Sequence, residues 1–526
     1  MRFLVASILV LGCCGLGAGL RAHPLQAEPI NHPYVFTFDQ FNLAEDPDDH
    51  LVNGGLLLMA ELRCGSCHEA PSAWRNQLEP ARGPDLAGVG SRLDADTLWL
   101  MIRGPQLRKR GTQMPALLYG NAEGSDEKVE ALVSFLSSLK KNVESLPQGD
   151  SSRGRKLYHQ TGCVACHEPA SDVTPPGIAQ GQDFDRPGNA SVPIAMADAY
   201  DLQHLARFLL DPRLDRPSGR MPSQRLNEQE AADIAAYLHE GRKVETAPER
   251  KFLAVPPQSA EAGKKAFSTE RCVNCHTLDG MMSTPALPMG KLVLDTATNC
   301  LTAVPEPGAA KYDFNPLQLR ALRLALKRLQ AGPPDEMEPT QRLDWQMTRL
   351  NCYACHDRDG KGGPEEPRAA YFSTKHPGSL PPSLDFIGGK LLPDVLKFSL
   401  VSGAPAVRPS LEVRMPLFSK HESESLLELF KLDQQDDVAL VGGHAGRGSA
   451  LAVAKCASCH ILPGNPAPVA SAVDLTSLTK RVTPWYFRSL MLGEIINPLH
   501  PPLSEEMTNL QPNEIADVWQ FLSTTR

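Results

Sequence analysis

The sequence is poor in aromatic residues, in excess positive charge and in long apolar runs. Phe, Trp and Tyr make up only 6% of the 526 residues. Lys and Arg number 53 against 61 Asp and Glu, and the net charge of −8 provides none of the basic surface that nucleic-acid binding requires. After the N-terminus, no apolar run is long enough to cross a bilayer. Neither a nucleic-acid-binding nor a multi-spanning membrane protein is indicated.

Cysteines are scarce outside one repeated pattern. Of the 13 cysteines, all but Cys13, Cys14 and Cys300 belong to copies of Cys-x-x-Cys-His, so there is no disulfide framework to read. The copies, called motifs 1 to 5 in chain order, are Cys64–His68, Cys163–His167, Cys272–His276, Cys352–His356 and Cys456–His460.

The spacing inside each motif is typical of covalent haem attachment. Two thiols three residues apart lie on one face of a helical turn, so both can add to the vinyl groups of one porphyrin. The histidine that follows is then placed as the proximal iron ligand. The motifs predict five covalent haem c groups with their iron. The predicted attachment and ligand residues are Cys64, Cys67, His68, Cys163, Cys166, His167, Cys272, Cys275, His276, Cys352, Cys355, His356, Cys456, Cys459 and His460.

Two other uses of Cys-x-x-Cys fit the sequence poorly. A zinc ribbon needs two such pairs about fifteen to twenty residues apart, whereas the first cysteines of successive motifs are separated by 99, 109, 80 and 104 residues. A thioredoxin-like dithiol requires a βαβ setting, and no alternating strand pattern surrounds any motif.

Residues 1–27 read as a secretory signal peptide, with Arg2 before an apolar stretch and small residues at Ala22 and Ala27 as cleavage points. An uncleaved anchor and lipidation at Cys13 or Cys14 are the alternatives. Export agrees with the motifs, because c-type haem is attached outside the cytoplasm. We therefore expect a periplasmic protein that contacts the membrane only if the N-terminal segment is retained.

Helices are predicted on both sides of the motifs. Gly55, Gly154 and Gly263 each lie nine residues before the first cysteine of a motif, where a small residue lets a second helix cross closely. Apolar residues at helical spacing end the repeats, most clearly at Val129, Leu132, Val133 and Leu136, at Ala231, Ile234, Ala235 and Leu238, and at Ile515, Val518, Trp519 and Leu522. Asn227 with Glu230 predicts a capped helix start.

Proline-rich and charged linkers separate the repeats, and they predict five domains. Their ranges, called segments 1 to 5, are 50–142, 148–243, 258–332 (atypical), 338–432 and 442–526. Residues 28–49 form an N-terminal extension that matches no pattern we can interpret.

Methionine-proline pairs are candidate sources of the sixth iron ligand. They begin at Met114, Met221 and Met415, which lie 46, 54 and 59 residues after the histidines of motifs 1, 2 and 4. A thioether opposite the histidine raises the reduction potential and fills the site, which suits electron transfer. In segment 5 the predicted ligand is Met507, with His500 as the alternative.

Segment 3 lacks this feature. Between His276 and Asn315 the methionines are Met281, Met282 and Met289, all close after the motif, and Met289 is predicted to pack rather than to ligate. Cys300 lies where a distal ligand is expected. We expect haem 3 to be five-coordinate, or ligated by a group from another segment.

The motifs, the Met-Pro pairs and the helix positions together resemble bacterial multi-domain c-type cytochromes built from class I cytochrome c modules. The runs at 216–238 and 350–368 look like secreted multihaem cytochromes of planctomycetes. The resemblance implies an all-α tandem array of five helical domains. It also implies a proline after each motif whose carbonyl accepts a hydrogen bond from the proximal histidine, at Pro84, at Pro382 and, less plainly, at the proline of Val192-Pro193.

The resemblance implies extracytoplasmic electron transfer, with redox proteins such as a donor dehydrogenase and a terminal acceptor as partners. Alternatives are a haem enzyme or haem subunit of an oxidoreductase, with haem 3 as an open, peroxidase-like site, and a haem-loaded adaptor. Segment 3 offers no obvious distal acid or base, which favours electron transfer over catalysis. Arg220 and Arg414, beside their methionines, are candidate partners of haem propionates.

Overall fold

A computed structural model describes most of the chain after residue 29. The described residues are 30–79, 82–120, 124–170, 173, 191–194, 196–240, 258–278, 281, 288–293, 299–302, 305, 309–364, 366–372, 380–402, 412–434, 438–469, 472–496 and 510–524. The predicted signal peptide, Met282, His500 and Met507 lie outside them.

The described part of the chain is mainly helical, which confirms the all-α prediction. Helices of six or more residues are α1 Phe36–Phe41, α2 Asp48–Glu61, α3 Ala95–Arg103, α4 Ser125–Ser138, α5 Ser151–Gln160, α6 Leu202–Leu210, α7 Glu228–Glu240, α8 Gln258–Thr269, α9 Pro316–Ala331, α10 Pro339–Arg349, α11 Glu366–Phe372, α12 Lys420–Phe430, α13 Ala445–Cys456, α14 Pro484–Met491 and α15 Pro512–Leu522.

Shorter elements complete the description. One-turn α-helices are Cys64–Cys67, Val89–Arg92, Pro105–Arg108, Pro212–Asp215, Ile387–Lys390 and Pro393–Lys397, and a π-helical turn is Phe398–Ser402. The 3₁₀ turns are Ser72–Trp74, Cys163–Ala165, Cys272–Asn274, Met289–Lys291, Cys352–Ala354, Lys431–Asp433 and Leu478–Lys480. Strands β1 Asp357–Arg358 and β2 Lys361–Gly362 pair antiparallel, and β3 His460–Ile461 and β4 Val473–Asp474 pair parallel. Among the described residues, no helix combines the length and apolar character needed to span a membrane.

Helices α7 and α9, which end segments 2 and 3, begin at side-chain caps. The Asn227 side chain accepts from the Glu230 backbone N–H at 2.9 Å, and the Glu230 carboxylate accepts from the Asn227 N–H at 3.0 Å, which confirms the predicted cap of α7. Asn315 and Gln318 form the same reciprocal pair at the start of α9. These bonds satisfy backbone donors that a helix start leaves without partners, so they fix where each helix begins.

In segments 2, 4 and 5 the helix before the motif packs against the terminal helix of the same segment. The pairs are α5 with α7, α10 with α12, and α13 with α15. Gly154 of α5 and Gly448 of α13 lie at two of these crossings. A Cβ at either position would run into the backbone carbonyl of Asp233 or Asp517. The glycines therefore set the close approach of the helices, as the sequence predicted for Gly154.

Segments 1 and 3 exchange these helices. Helix α2, which precedes motif 1, packs against α9 of segment 3, and α8, which precedes motif 3, packs against α4 of segment 1. A Cβ at Gly55 would meet the carbonyl of Ala321, and one at Gly263 would meet the carbonyl of Ala131. The predicted glycine crossings are present, but each is made between segments.

The apolar cores follow the exchange. One core contains Leu58 of α2 together with Leu322 of α9, and another contains Val133 of α4 together with Phe267 of α8. We call the first crossed unit A (α2, motif 1 and α9) and the second crossed unit B (α8, motif 3 and α4). Segments 1 and 3 are therefore interlocked, and neither range, 50–142 or 258–332, packs its own two terminal helices together.

The remaining segments are joined by core, backbone and ion-pair contacts. Helix α11 of segment 4 lies on segment 2, where Tyr371 is 1% exposed in the core around Val164. An isolated antiparallel bridge between Leu391 and Val482 joins segments 4 and 5. Arg92 of segment 1 pairs with Asp215 of segment 2 at 3.0 Å.

Candidate haem-binding sites

Four of the motifs share one backbone geometry. The residue before the first cysteine has a positive φ in motifs 1 to 4, at Arg63, Gly162, Arg271 and Asn351. The chain then makes a single turn. The backbone N–H of the histidine donates to the carbonyl of the first cysteine at 2.9 to 3.0 Å in His68, His167, His276 and His356. This turn gives each cysteine pair the proximity that attachment to one porphyrin requires.

The imidazole rings of four motif histidines are oriented by backbone carbonyls. The Nδ1–H donates to Val192 from His167 at 2.9 Å, to Pro84 from His276 at 2.9 Å, to Pro382 from His356 at 2.7 Å and to Val473 from His460 at 3.2 Å. Such a bond fixes the tautomer and leaves Nε2 as the metal-binding nitrogen. Burial lowers the pKa of His276, which keeps that ring in the neutral form that binds iron.

Two of these contacts differ from the sequence prediction. Pro84 follows motif 1 in the chain, yet its carbonyl accepts from His276 of motif 3. In segment 2 the acceptor is Val192 instead of Pro193. The Pro84 difference follows from the exchange, because residues 83–86 run beside motif 3: the Gly83 N–H donates to Cys275 and the Leu86 N–H to Thr277.

The corresponding loop of segment 3 lies beside motif 1. The Met289 N–H donates to the carbonyl of Glu69, the residue after His68, at 3.0 Å. The same bond is made from Leu86 to Thr277 and from Leu384 to Asp357 in the other units. Met289 is 0% exposed in the core of crossed unit A, in the position that leucine takes elsewhere.

Burial raises the pKa values of several motif thiols. Burial raises the pKa of Cys166 to about 11 and the pKa values of Cys272 and Cys352 to about 12. Burial also raises the pKa values of Cys64 and Cys355. Redox-active dithiols have lowered pKa values, so these surroundings do not fit the thioredoxin-like alternative. The described cysteines form no disulfide, and the described residues contain no group of three or more His, Cys, Asp or Glu arranged to hold a metal ion.

Cations gather beside the motifs in a way that fits the carboxylates of a porphyrin. The Nε atoms of Arg63 and Arg349 are buried, with no hydrogen-bond partner among the described residues. Burial, with Arg216 and Arg63 nearby, lowers the pKa of Lys109 to about 7. Like charges held this close are stabilised by an anion, and haem propionates would supply it beside motif 1.

Arg220 and Arg414, the predicted propionate partners, also have protein partners. Arg220 contacts Glu61 of segment 1 at 2.6 Å and Glu422 of segment 4 at 3.5 Å. Arg414 of segment 4 contacts Glu230 of segment 2 at 2.6 Å. Both guanidiniums therefore join segments beside the candidate methionine ligands.

The loops that carry the candidate methionines pair with each other across segments. Isolated antiparallel bridges join Ser223 to Leu417 and Ala116 to Lys311. The side chains of Met221 and Met415 pack against the cores of segments 2 and 4, and Met114 is half-buried. His500 and Met507, the two candidates in segment 5, lie outside the described residues.

The motifs themselves meet in two pairs, which the sequence did not predict. The Asn274 side-chain amide of motif 3 donates to Cys67 Sγ of motif 1 at 3.7 Å. The Asn351 amide beside motif 4 donates to Cys166 Sγ of motif 2 at 3.4 Å. A partial signal was present in the sequence, since each asparagine lies in or directly before a motif, but nothing in it named the partner motif.

Comparison with known proteins gives one match. Residues 151–242 match the family model described as Cytochrome c. The match covers motif 2, Met221 and the helices α5 to α7. No curated protein and no solved structure matches the chain. Residues 151–242 therefore resemble a cytochrome c domain, which indicates covalent haem c, iron and haem-based electron transfer for this part of the chain.

Proposed function

We propose that this chain is a five-haem c-type cytochrome that transfers electrons outside the cytoplasm. When bound, each haem supplies an iron that cycles between the ferric and ferrous states. The ten motif cysteines hold the porphyrins, the five motif histidines bind the irons, and Met114, Met221, Met415 and Met507 provide sixth ligands. The match to the cytochrome c family at residues 151–242 supports haem-based chemistry.

The meeting of motifs in pairs is the observation that carries the proposal. Contacts between Asn274 and Cys67 and between Asn351 and Cys166 bring motif 3 beside motif 1, and motif 4 beside motif 2. A porphyrin attached at each of these motifs lies near a second porphyrin, and closeness of redox centres is what transfer between them requires. A set of independent haem-binding domains would have no need of such pairing.

Contacts between segments extend this argument along the chain. Arg220 joins segment 2 to Glu61 and Glu422 of segments 1 and 4, and the bridge between Leu391 and Val482 joins segment 4 to segment 5. We propose a continuous path for electrons, with a donor dehydrogenase at one end and a terminal acceptor at the other. The signal-like N-terminus supports a periplasmic location for this exchange.

Haem counting tests the proposal directly. The protein, exported in a host that attaches c-type haem, is examined by intact mass and by the pyridine haemochrome spectrum. We expect five haems per chain. Replacement of Cys163 and Cys166 by serine should remove one haem, whereas Cys300→Ser, outside every motif, should leave all five. An apoprotein, or zinc in place of iron, would overturn the proposal.

Redox titration with optical and EPR detection tests the transfer role. Reduction adds negative charge to one haem of a pair. This charge should shift the reduction potential of the neighbouring haem. Loss of the haem of motif 2 should therefore change the titration of the haem of motif 4 more than that of the haem of motif 3. Five centres that titrate independently would contradict the proposed path.

A further inference from the structure

The bridge between the distal loops aligns segment 3 with the methionine-bearing segments. In the bridge between segments 2 and 4, the paired residues Ser223 and Leu417 each lie two positions after a methionine, Met221 or Met415. In the bridge between segments 1 and 3, Ala116 lies two positions after Met114. Its partner is Lys311, so the residue of segment 3 in the methionine position is Ala309.

The helix cap of segment 2 gives the same alignment independently. Met221 lies six residues before Asn227, the cap of α7, and Ala309 lies six residues before Asn315, the cap of α9. Ala310 then takes the place of the proline. The segment 3 loop thus matches the segment 2 loop in its spacing but carries a methyl group where segment 2 carries a thioether.

The exchange of helices decides which haem this loop serves. In segment 2 the methionine loop leads into α7, which crosses α5, the helix that enters motif 2. By the same arrangement, the loop at Ala309 leads into α9, which crosses α2 and so belongs with motif 1. Met114 leads into α4, which crosses α8 and so belongs with motif 3.

Side chains after Ala309 confirm that this loop packs on motif 1. Tyr312 and Phe314 stack with centroids 5.0 Å apart and lie against the core that contains Leu58 and Cys64. The Tyr312 hydroxyl donates to the Leu62 carbonyl, two residues before Cys64, at 3.1 Å. Because the Tyr312 hydroxyl makes this bond, we do not expect it to bind iron.

We infer that the haem of motif 1 has no methionine ligand and is an open site for a small neutral ligand, while Met114 ligates the haem of motif 3. The inference rests on the proposed five-haem function. It moves the open site from haem 3, where chain order put it, to haem 1. The expected ligand class is a diatomic molecule that binds ferrous iron, and carbon monoxide is the probe.

Carbon monoxide binding to the reduced holoprotein tests the inference, with deletion of single haems to locate the site. The wild type should bind one carbon monoxide per chain and show one high-spin haem. Replacing Cys64 and Cys67 with serine should abolish binding and leave four haems. The matched replacement of Cys272 and Cys275 should also leave four haems but keep the binding.

A gain-of-ligand variant tests the same site without removing a haem. Ala309→Met should convert the high-spin haem to low spin and abolish carbon monoxide binding, whereas Ala310→Met, one position further, should leave both unchanged. Met114→Ala should raise the binding from one to two molecules per chain. Its second site should disappear with the haem of motif 3.

The outcomes separate this inference from the proposed function. Fewer than five haems in the wild type would count against the function itself. Five haems, all low-spin and inert to carbon monoxide, would overturn the inference alone; this is the result expected if Cys300 of segment 3, the other distal candidate, ligates the haem of motif 1. So would five haems whose carbon monoxide binding disappears with the haem of motif 3 and persists without the haem of motif 1.

Discussion

The exchange of helices between segments 1 and 3 predicts a crossed response to two glycine substitutions. In Gly55→Ala the new methyl group meets the backbone carbonyl of Ala321 in α9, and in Gly263→Ala it meets that of Ala131 in α4. A backbone carbonyl inside a helix cannot rotate away, so the helices must separate. Overpacking of this kind costs about 1–3 kcal/mol, and the higher helix propensity of alanine offsets about 1 kcal/mol of that cost.

Hydrogen exchange of individual helices measures the result. A net loss of up to about 2 kcal/mol in local opening free energy speeds amide exchange by up to about 30-fold. We expect Gly55→Ala to speed exchange in α9 and leave α4 unchanged, and Gly263→Ala to do the reverse. Gly290→Ala is the control, because a Cβ at this exposed glycine meets nothing within 4 Å.

The opposite pattern would refute the reasoning. If Gly55→Ala loosened α4, the helix of its own segment, then α2 and α4 would be packed together and segments 1 and 3 would be separate units. The assignment of Met114 to the haem of motif 3 would then be wrong as well. Equal effects on both helices would show that the two crossed units open together.

Three further predictions concern contacts between segments. Arg220→Ala should lower the free energy of unfolding by about 3 kcal/mol, because it removes the partner of the Glu61 carboxylate, whose side chain is 3% exposed. The double variant Arg220→Gln with Glu61→Gln should lose less free energy of unfolding in a denaturant titration. Arg368→Leu should destabilise the contact of α11 with segment 2 by about 1–3 kcal/mol for each carbonyl left without a partner, since Arg368 Nη1 donates to Val164 at 2.7 Å and to His167 at 3.2 Å. Nη2 also donates to Ser191 Oγ at 2.6 Å. Arg368→Lys, whose single nitrogen can replace Nη1 but not Nη2 as well, should recover only part of the loss in thermal unfolding. The hydrogen bonds from Arg414 hold the pKa of Glu230 below its usual value. The pair therefore stabilises the fold above the unfolded-state pKa of about 4.3, and this stabilisation is lost as the pH falls through the lower folded-state pKa. Arg414→Gln should make the melting temperature fall less steeply with pH in this acid range, and an unchanged slope would contradict the assignment.

Much of the local structure could be predicted from the sequence because it depends on residues close together in the chain. The single turn of motifs 1 to 4, the cap at Asn227, and the glycines Gly55, Gly154 and Gly263 at the helix crossings could all be predicted in this way. Periodicity likewise located the terminal helices. The partners of Pro84, Arg220 and Arg414 could not be predicted from the sequence, because those partners lie in other segments.

What the sequence by itself determined is the chemistry: five Cys-x-x-Cys-His motifs, three Met-Pro pairs, and one segment without a methionine at that place. The tertiary structure alone decided which motif meets which loop. Gly55 of α2 and Gly263 of α8 both allow a close helix crossing, and α4 and α9 have equivalent apolar faces. The local sequence is therefore compatible with either helix as the partner of α2. Only the packing of the complete chain selects α9 for α2, and that selection places the loop without a methionine at motif 1.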